Sequence, residues 1–302
     1  MSIVRIIISL MACTILYSSN TFGLERILIN HPDSHDDSRY EYPTRLLARI
    51  LEITTDEYGP VLLETNGLSM SRSRALNALI EGKQLHVMAE APKPDWNEQL
   101  LCVRIPIRKG IQGYRIFLTK NEFTPILDSI SSFDEFKALP TGSGEQWSTT
   151  RVLEEAGFNV IKGIDYEGLF GMLIRNRFMT FGRGINEVFT EYEERHTKLN
   201  DLAIDERFLL YIPLPTYFFV TPRQVELKNR IEIGLSMLIE SGEFESIFQA
   251  EFGALIEQAQ LDKRILFSIP NPNLTSEDPL DREQFWYHPD LKTNQDQTQY
   301  LQ

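Results

Sequence analysis

A glycine-flanked arginine lies where an apolar, strand-like run gives way to a predicted helix, in the segment TFGRGINEV at residues 180–188. In open α/β sheets, ligands bind at the carboxyl ends of the strands. Arg183 is therefore a candidate to bind a carboxylate or a phosphate through its planar guanidinium. The alternative is a salt bridge from Arg183 to Glu187, one helical turn further on, or to an acidic residue on the surface. The sequence leaves both interpretations open.

A second candidate anion site lies in the segment TGSGEQW at residues 141–147, which precedes a predicted helix. The first N–H groups of a helix have no partner within the helix and bind anions readily. Ser143 is a candidate to cap this helix and to line such a site. A plain glycine turn with a serine cap is the alternative.

The sequence gives little indication of a metal site or of a catalytic nucleophile. His31 and His35 share one loop with three aspartates, and this pattern fits a solvated polar loop better than a metal site. Cys102 lies in the apolar run LLCVRIPI, which indicates a small buried hydrophobic residue rather than a nucleophile. We therefore expect no metal, no cofactor and no catalytic activity.

Composition limits the class of protein. The chain has 302 residues, 42% of them hydrophobic and 24% charged, enough for one large or two ordinary globular domains. The formal net charge of −13 argues against nucleic acid as a partner, because phosphate backbones are bound by basic surfaces. We expect a monomer.

The N-terminus has the pattern of a secretory signal peptide. A positive residue, Arg5, precedes an apolar run and a short polar exit, so residues 1–23 are predicted to be removed and the mature protein to be periplasmic. The lipobox-like sequence LMAC makes a lipid anchor at Cys13 the alternative. At the other end, residues 289–302 are polar and are predicted to be disordered.

Between these ends the periodicity predicts two sets of alternating strands and helices. The first begins with the strand ERILIN and the helix PTRLLARILEITTDEYG, and the second occupies about residues 114–207. The apolar run RFLLYIPLPTYFFVT follows as an extended connection, because its prolines prevent a helix. A long amphipathic helix comes next.

The segment RIEIGLSMLIESGEFESIFQAEFG resembles the C-terminal region of the family 3 extracellular solute-binding proteins. ALNALIEGKQLHVMAE resembles the helix-turn-strand of the same family, and RIPIRKGIQGYRIFL, FGRGINEV and NPNLTSEDPLDREQFW resemble a transporter-like branch of it. The resemblance covers most of residues 24–288. The matching positions in the first segment are Gly234, Leu235, Leu238, Gly242, Ile247 and Phe252.

The resemblance implies an α/β fold of the type II periplasmic binding proteins, in which two lobes are joined by two crossing strands. Lobe 1 would combine residues 24–110 with residues 209–288, and lobe 2 would be residues 111–208. Ligand would bind in the cleft between the lobes, which close on it by a hinge motion.

The resemblance also identifies four further site candidates, each with a structural alternative. Arg108 would line the cleft or tie the hinge, and Glu90 would receive a cationic group or pair with Lys93. Tyr40 would form an aromatic lid over the ligand or pack on the surface. Trp147 would form one side of the cleft or pack between helices.

The chain lacks both of the charged residues by which the amino-acid binders of this family hold the α-carboxylate and the α-ammonium of their ligand. No arginine lies between Met88 and Leu101, where those proteins bind the α-carboxylate. The aspartate that pairs the α-ammonium is replaced by a region whose nearest charge is Arg183. An ordinary α-amino acid is therefore not the expected ligand, and a polar molecule with an anionic part is.

Three functions remain open from the sequence. The favoured one is a periplasmic solute-binding protein that captures a small polar, anionic molecule for ABC-type import. A sensory module that reports the ligand to a membrane receptor is the second. A secreted hydrolase or lyase is the least favoured. It needs an acid-base pair in the cleft, and although Glu90 with Glu187 could supply one, their spacing in the sequence does not place them together.

Overall fold

The computed structural model describes residues 24–31 and 38–290. The predicted signal peptide, including Cys13, lies outside the described residues, as do His35 and nearly all of the predicted disordered tail. Within the described ranges, no helix has both the length and the apolar character needed to cross a bilayer.

Short strands alternate with helices along most of the chain. The strands are β1 (Glu25–Ile29), β2 (Val61–Thr65), β3 (Val87–Glu90), β4 (Leu101–Val103), β5 (Tyr114–Lys120), β6 (Thr141–Gly144), β7 (Val160–Gly163), β8 (Thr180–Gly184), β9 (Leu202–Ile204), β10 (Phe208–Tyr211), β11 (Tyr217–Val220) and β12 (Ile265–Ser268). The helices are α1 (Glu41–Ile53), α2 (Thr55–Tyr58), α3 (Arg72–Glu81), α4 (Pro94–Gln99), α5 (Thr124–Ser129), α6 (Phe133–Ala138), α7 (Ser148–Glu155), α8 (Tyr166–Ile174), α9 (Val188–Arg195), α10 (Val225–Glu240) and α11 (Glu243–Ala259).

The strands form two separate sheets, one in each lobe. The first has five strands in the order β2-β1-β3-β11-β4, and the second has seven, in the order β12-β10-β5-β8-β6-β7 with β9 paired to β5. Strands β1, β2 and β3 are parallel, whereas β11 runs antiparallel to its neighbours. The predicted α/β fold with two lobes is confirmed.

The division of the chain between the two sheets differs from the predicted boundaries. Strands β10 and β12 pair within the second sheet, although both fall almost entirely in the 209–288 range assigned to lobe 1. The apolar run over residues 208–220 is interrupted by Pro213 and Pro215, which lack the N–H that a sheet ladder requires. Its first part therefore ends in the second sheet, and its second part forms β11 in the first.

Two crossing segments run side by side between the lobes, at the position of the predicted hinge. The Ile212 N–H donates to the Gly113 carbonyl at 3.0 Å, and the Ile107 N–H donates to the Thr216 carbonyl at 2.9 Å. A Cβ atom at Gly113 would lie 1.9 Å from the Ile212 carbonyl oxygen. The close approach of the crossings therefore depends on the missing side chain at this position.

The substitution Gly113→Ala tests this packing. We expect it to lower the free energy of unfolding by about 2–3 kcal/mol, because the new methyl group forces the crossings apart. In the control, Gly253→Ala within α11, the added Cβ meets only the flexible Gln249 side chain, at 3.3 Å, and helix propensity should raise stability by about 0.5–1 kcal/mol. Urea unfolding measures both, and equal effects would contradict the proposed hinge packing.

Candidate functional site

A cavity lies between the two lobes, beside the hinge. Its volume is about 60 Å³, counted as the space open to the centres of water molecules. Its described walls come from both sheets and from both crossing segments. They are Arg39, Tyr40, Arg72, Ala89, Glu90, Ala91, Arg108, Gln112, Arg115, Trp147, Ser148, Thr149, Arg183, Glu187 and Thr216.

The charge of these walls is opposite to that of the whole protein. Among the described lining residues, five arginines face two glutamates, in a chain whose formal net charge is −13. Such a concentration of guanidinium groups in a concave site attracts anions.

Arg183 lies at the end of β8 and is almost fully buried, with 2% of its surface exposed. Its Nε and Nη2 donate to the two carboxylate oxygens of Glu191 at 2.7 and 2.6 Å, and Nη2 lies 3.1 Å from Glu187 Oε2. Burial would lower the pKa of Arg183, but the two carboxylates hold it above its usual value. Arg183 lines the cavity and also forms the alternative ion pair with Glu187.

The glycines beside Arg183 make room for the neighbouring strand. Arg115 of β5 lies directly opposite Gly184 in the antiparallel register. A Cβ atom at Gly184 would lie 3.1 Å from the Gln112 backbone, and one at Gly182 would lie 3.1 Å from the Phe117 ring. The sequence pattern Gly-Arg-Gly therefore allows two arginines to enter the cavity from adjacent strands.

Arg115 is buried without a carboxylate partner within the described part of the chain. Its Nη1 donates to the Gln112 carbonyl at 3.2 Å, and its Nη2 donates to the Gly182 carbonyl. Burial, together with repulsion from Arg183, lowers the pKa of Arg115 to about 10. The group is still charged at neutral pH, where two carbonyl groups accept from it directly and the more distant carboxylates of Glu187 and Glu191 attract it.

Arg108 is a second buried guanidinium without an ion pair among the described residues. Its Nη1 donates to Thr216 Oγ1 at 3.4 Å and its Nη2 donates to the Arg39 carbonyl, while its buried Nε has no hydrogen-bond partner. Burial lowers the pKa of Arg108, and the attraction of Glu187 opposes the shift. Arg108 thus lines the cavity and, through Thr216, also ties the two crossings together.

Glu90 and Tyr40 also line the cavity, on the side of the first sheet. Arg72 Nε lies 2.5 Å from Glu90 Oε2, an ion pair without hydrogen-bond geometry, and Glu90 Oε1 accepts from the Ala91 N–H at 3.0 Å. Burial would raise the pKa of Glu90, but Arg72 and Lys93 together lower it. The guanidinium carbons of Arg39 and Arg72 lie 5.6 and 5.7 Å from the centre of the Tyr40 ring.

Trp147 forms one wall of the cavity, at the start of α7. Its ring stacks on Phe181 with centroids 6.1 Å apart, and the Arg183 guanidinium lies 4.8 Å above it. Ser148 and Thr149, in the first turn of α7, line the cavity beside it. Ser143 does not line the cavity. It lies in β6, where its hydroxyl accepts from Thr150 Oγ1 at 2.7 Å, and α7 has no side-chain cap.

The lobes touch each other at the mouth of the cavity. The Gln146 side chain accepts from the Ser73 N–H at 3.2 Å, and the Gln146 carbonyl accepts from Lys93 Nζ at 3.2 Å. On the other side of the mouth, the Arg39 guanidinium lies 4.1 Å from the centre of the Tyr166 ring. These contacts join the two lobes directly across the cleft.

The remaining reactive residues contribute no chemistry to this site. Burial raises the pKa of the Cys102 thiol to about 12, so it is protonated and unreactive at neutral pH. No group of three or more His, Cys, Asp or Glu side chains in the described ranges is arranged to hold a metal ion.

Sequence reasoning selected five lining residues and missed the other arginines. Arg183, Trp147, Arg108, Glu90 and Tyr40 all line the one cavity, whereas Arg39, Arg72 and Arg115 were not singled out. Arg115 carried a usable signal, because it is a charged residue near the start of the fully buried strand YRIFLTK. Arg39 and Arg72 lie at helix starts, where an arginine is unremarkable in sequence.

The buried carboxylate of Glu191 should be important for stability. We expect Glu191→Gln to lower the free energy of unfolding by about 3 kcal/mol, because it leaves the buried Arg183 without its closest partner. The control is Glu155→Gln, which breaks the half-exposed pair with Arg151 at 2.7 Å and should cost less than about 1 kcal/mol. Denaturant unfolding distinguishes them, and a similar loss in both variants would refute the role of Glu191.

Acid should destabilise the protein partly through Glu187. Burial raises the pKa of this carboxyl, but Arg183 and Arg115 outweigh burial and hold it below its usual value. A lowered folded-state pKa gives stability that is present above the unfolded-state value, about 4.3, and is lost as the pH falls through the folded-state value. The stability difference between the wild type and Glu187→Gln should therefore shrink from pH 6 to pH 3, and a constant difference in urea unfolding would contradict this.

No family model and no curated protein matches the chain. Solved structures do match it in fold. A substrate-binding protein of an amino-acid ABC transporter is 13% identical with a TM-score of 0.55, over 76% of this chain and 99% of that one. An ancestral arginine-binding protein bound to arginine is 16% identical with a TM-score of 0.53, over 76% and 99%.

A histidine kinase sensor domain with similarity to periplasmic binding proteins is also similar in fold. It is 15% identical with a TM-score of 0.53, and the match covers 76% of this chain and 97% of that one. These structures have the two-lobed architecture described above, although their sequences differ widely from this one. The chain therefore has the type II fold of the periplasmic binding proteins, as the sequence resemblance implied.

Proposed function

We propose that the chain is a solute-binding protein that holds a small anionic molecule in the cavity between its lobes. The observation that carries the proposal is the pair Arg108 and Arg115, two buried guanidinium groups that line the cavity without an ion pair in the described structure. A carboxylate or phosphate between them would form charge-assisted hydrogen bonds and neutralise both.

The energetics of burial favour an anion. Removing a guanidinium from water is unfavourable unless an opposite charge or several dipoles compensate it, and Arg108 retains a buried N–H without a partner. The backbone at the start of α7, where Ser148 and Thr149 line the cavity, adds the positive end of a helix dipole. All of these features favour a negatively charged ligand.

The ligand should differ from that of the arginine-binding protein of similar fold. In this cavity, the cationic side chain of arginine would meet guanidinium groups of like charge, and the two lining glutamates are already close to Arg72 and Arg183. We therefore propose an organic acid or a phosphorylated molecule rather than arginine or another ordinary α-amino acid.

Binding accounts for this site better than catalysis. A hydrolase or lyase would need a carboxyl group with a raised pKa to act as an acid near neutral pH. The two candidate groups, Glu90 and Glu187, both have lowered pKa values because arginines lie beside them. Both carboxylates are therefore ionised and serve to compensate the guanidinium charges.

We also propose that the protein works outside the cytoplasm with a membrane partner. Import and sensing both begin with ligand capture by this fold, and the structures of similar fold include a transporter component and a histidine kinase sensor domain. An ABC permease is the favoured partner and a membrane sensor is the alternative. Pull-down with each candidate membrane protein, with and without ligand, would distinguish them.

Ligand-dependent stabilisation tests the proposed function. We expect an organic acid or a phosphate ester at about 100 times its dissociation constant to add about 2.7 kcal/mol of stability, a clear rise in the melting temperature. Arg115→Gln should weaken binding at least 100-fold, since it removes a buried charge partner of the ligand. Calorimetric titration measures the affinity directly.

The matched control for this test is Arg264→Gln. Arg264 is also buried in the second lobe and donates to carbonyl groups, those of Ala259 and Asp205, at 2.8 and 2.7 Å, but it does not line the cavity. Both variants should lose some stability, and only Arg115→Gln should lose ligand binding. Equal affinities of the two variants for the ligand would contradict the proposal.

A further inference from the structure

We propose that the ligand has two parts, an anionic head in the arginine-lined cavity and an apolar extension in a second, outer compartment. This inference rests on the proposed function. The outer compartment is the space bounded by residues 69–72 of the first lobe and by residues 144–147 and 164–167 of the second. It lies next to the inner cavity, at the same cleft.

The sizes of the two spaces are the first argument. The inner cavity offers about 60 Å³ for the centres of water molecules, whereas the outer compartment offers about 300 Å³ by the same measure. One water needs on the order of 10–15 Å³ by this measure, so the inner cavity replaces only a few waters. A carboxylate or phosphate group fits there, and the rest of a larger molecule must lie elsewhere.

The two spaces share part of their walls, which is the second argument. Arg72 and Trp147 line both of them. Trp147 is fixed by its stacking on Phe181 and by the Arg183 guanidinium above its ring. A ligand that leaves the inner cavity past Trp147 therefore enters the outer compartment directly.

The chemistry of the outer walls is the third argument. The solvent-accessible surface of the compartment is mostly apolar, and Met70, Trp147, Ile164 and Tyr166 contribute to it. Ile164 is 92% exposed, the most exposed of the large hydrophobic residues in the described structure. An apolar side chain at the rim of an apolar compartment is placed to cover an apolar ligand group.

Two of the three acidic residues of the outer walls have partners, and the third, Glu145, is exposed to solvent. Asp165 caps α8 by accepting from the Gly168 N–H at 2.6 Å, and Glu167 accepts from Arg195 at 2.8 Å. They therefore do not require a cation from the ligand. The chemical class that fits both compartments is a small acid, carboxylic or phosphoric, that carries an alkyl chain or an aromatic ring.

Two series of probes test the inference by calorimetric titration of the whole mature chain. One comprises acetate, butanoate, hexanoate and 3-phenylpropanoate, and the other comprises methyl phosphate and hexyl phosphate. Each methylene group that enters the outer compartment should tighten binding by up to about fourfold. We expect hexanoate or hexyl phosphate to bind at least tenfold more tightly than the shortest member of its series.

The variant Ile164→Asn tests the location of the extension. It keeps the charge and removes apolar surface at the rim, so it should reduce the advantage of the long acid at least threefold and leave the short acid within twofold of the wild type. Ile126→Asn is the matched control, because Ile126 is an exposed isoleucine on α5, 42% exposed, that lines neither compartment. It should change neither affinity.

The outcomes separate this inference from the proposed function. Tight binding of the short anions without any gain from the extension would overturn the inference and leave the proposed function standing. A gain that Ile164→Asn and Ile126→Asn affect equally would also overturn it, because the extension would then lie elsewhere. No binding of any member of either series would overturn both.

Discussion

Keeping several guanidinium groups charged inside one narrow cavity is the constraint on which the site depends. Three of the arginines are stabilised by different kinds of partner. Arg183 has two carboxylates, Arg115 has two carbonyl groups, and Arg108 has a carbonyl, a hydroxyl and one buried N–H without a partner. Arg183 is thus paired directly with carboxylates, whereas Arg108 and Arg115 have no ion pair among the described residues, and the proposed binding of an anion rests on this difference.

The fold supplies these partners from segments that are far apart in sequence. The antiparallel register of β5 and β8 places Arg115 opposite a glycine beside Arg183, and α9 returns Glu191 to the same strand end. The hinge contributes Arg108, and the first sheet contributes Glu90 at the end of β3. Because both lobes and both crossings line the cavity, its geometry depends on how the lobes close.

The closed arrangement also creates the second, apolar space. Residues of the two lobes meet across the cleft through Gln146 and Tyr166, and the outer compartment lies between these contacts and Trp147. The proposed two-part ligand would place its charged group in the inner cavity and its apolar group in the outer compartment. Electrostatic attraction in the inner cavity and burial of apolar surface in the outer compartment are independent effects, so each can be tested without removing the other.

The sequence by itself determined the alternating strands and helices, the two-lobed α/β fold and five of the lining residues. The alternation follows from local periodicity and proline positions, and Arg183 was selected from its place at a strand end. The two-lobed arrangement and the other four lining residues come from the resemblance to a known family. Only the tertiary structure decided that β10 and β12 join the second sheet, that Ser143 lies outside the cavity and that Arg39, Arg72 and Arg115 lie inside it. Pairing between distant strands depends on contacts between segments more than 50 residues apart, such as Arg115 with Gly182, and a local pattern does not encode which segments meet.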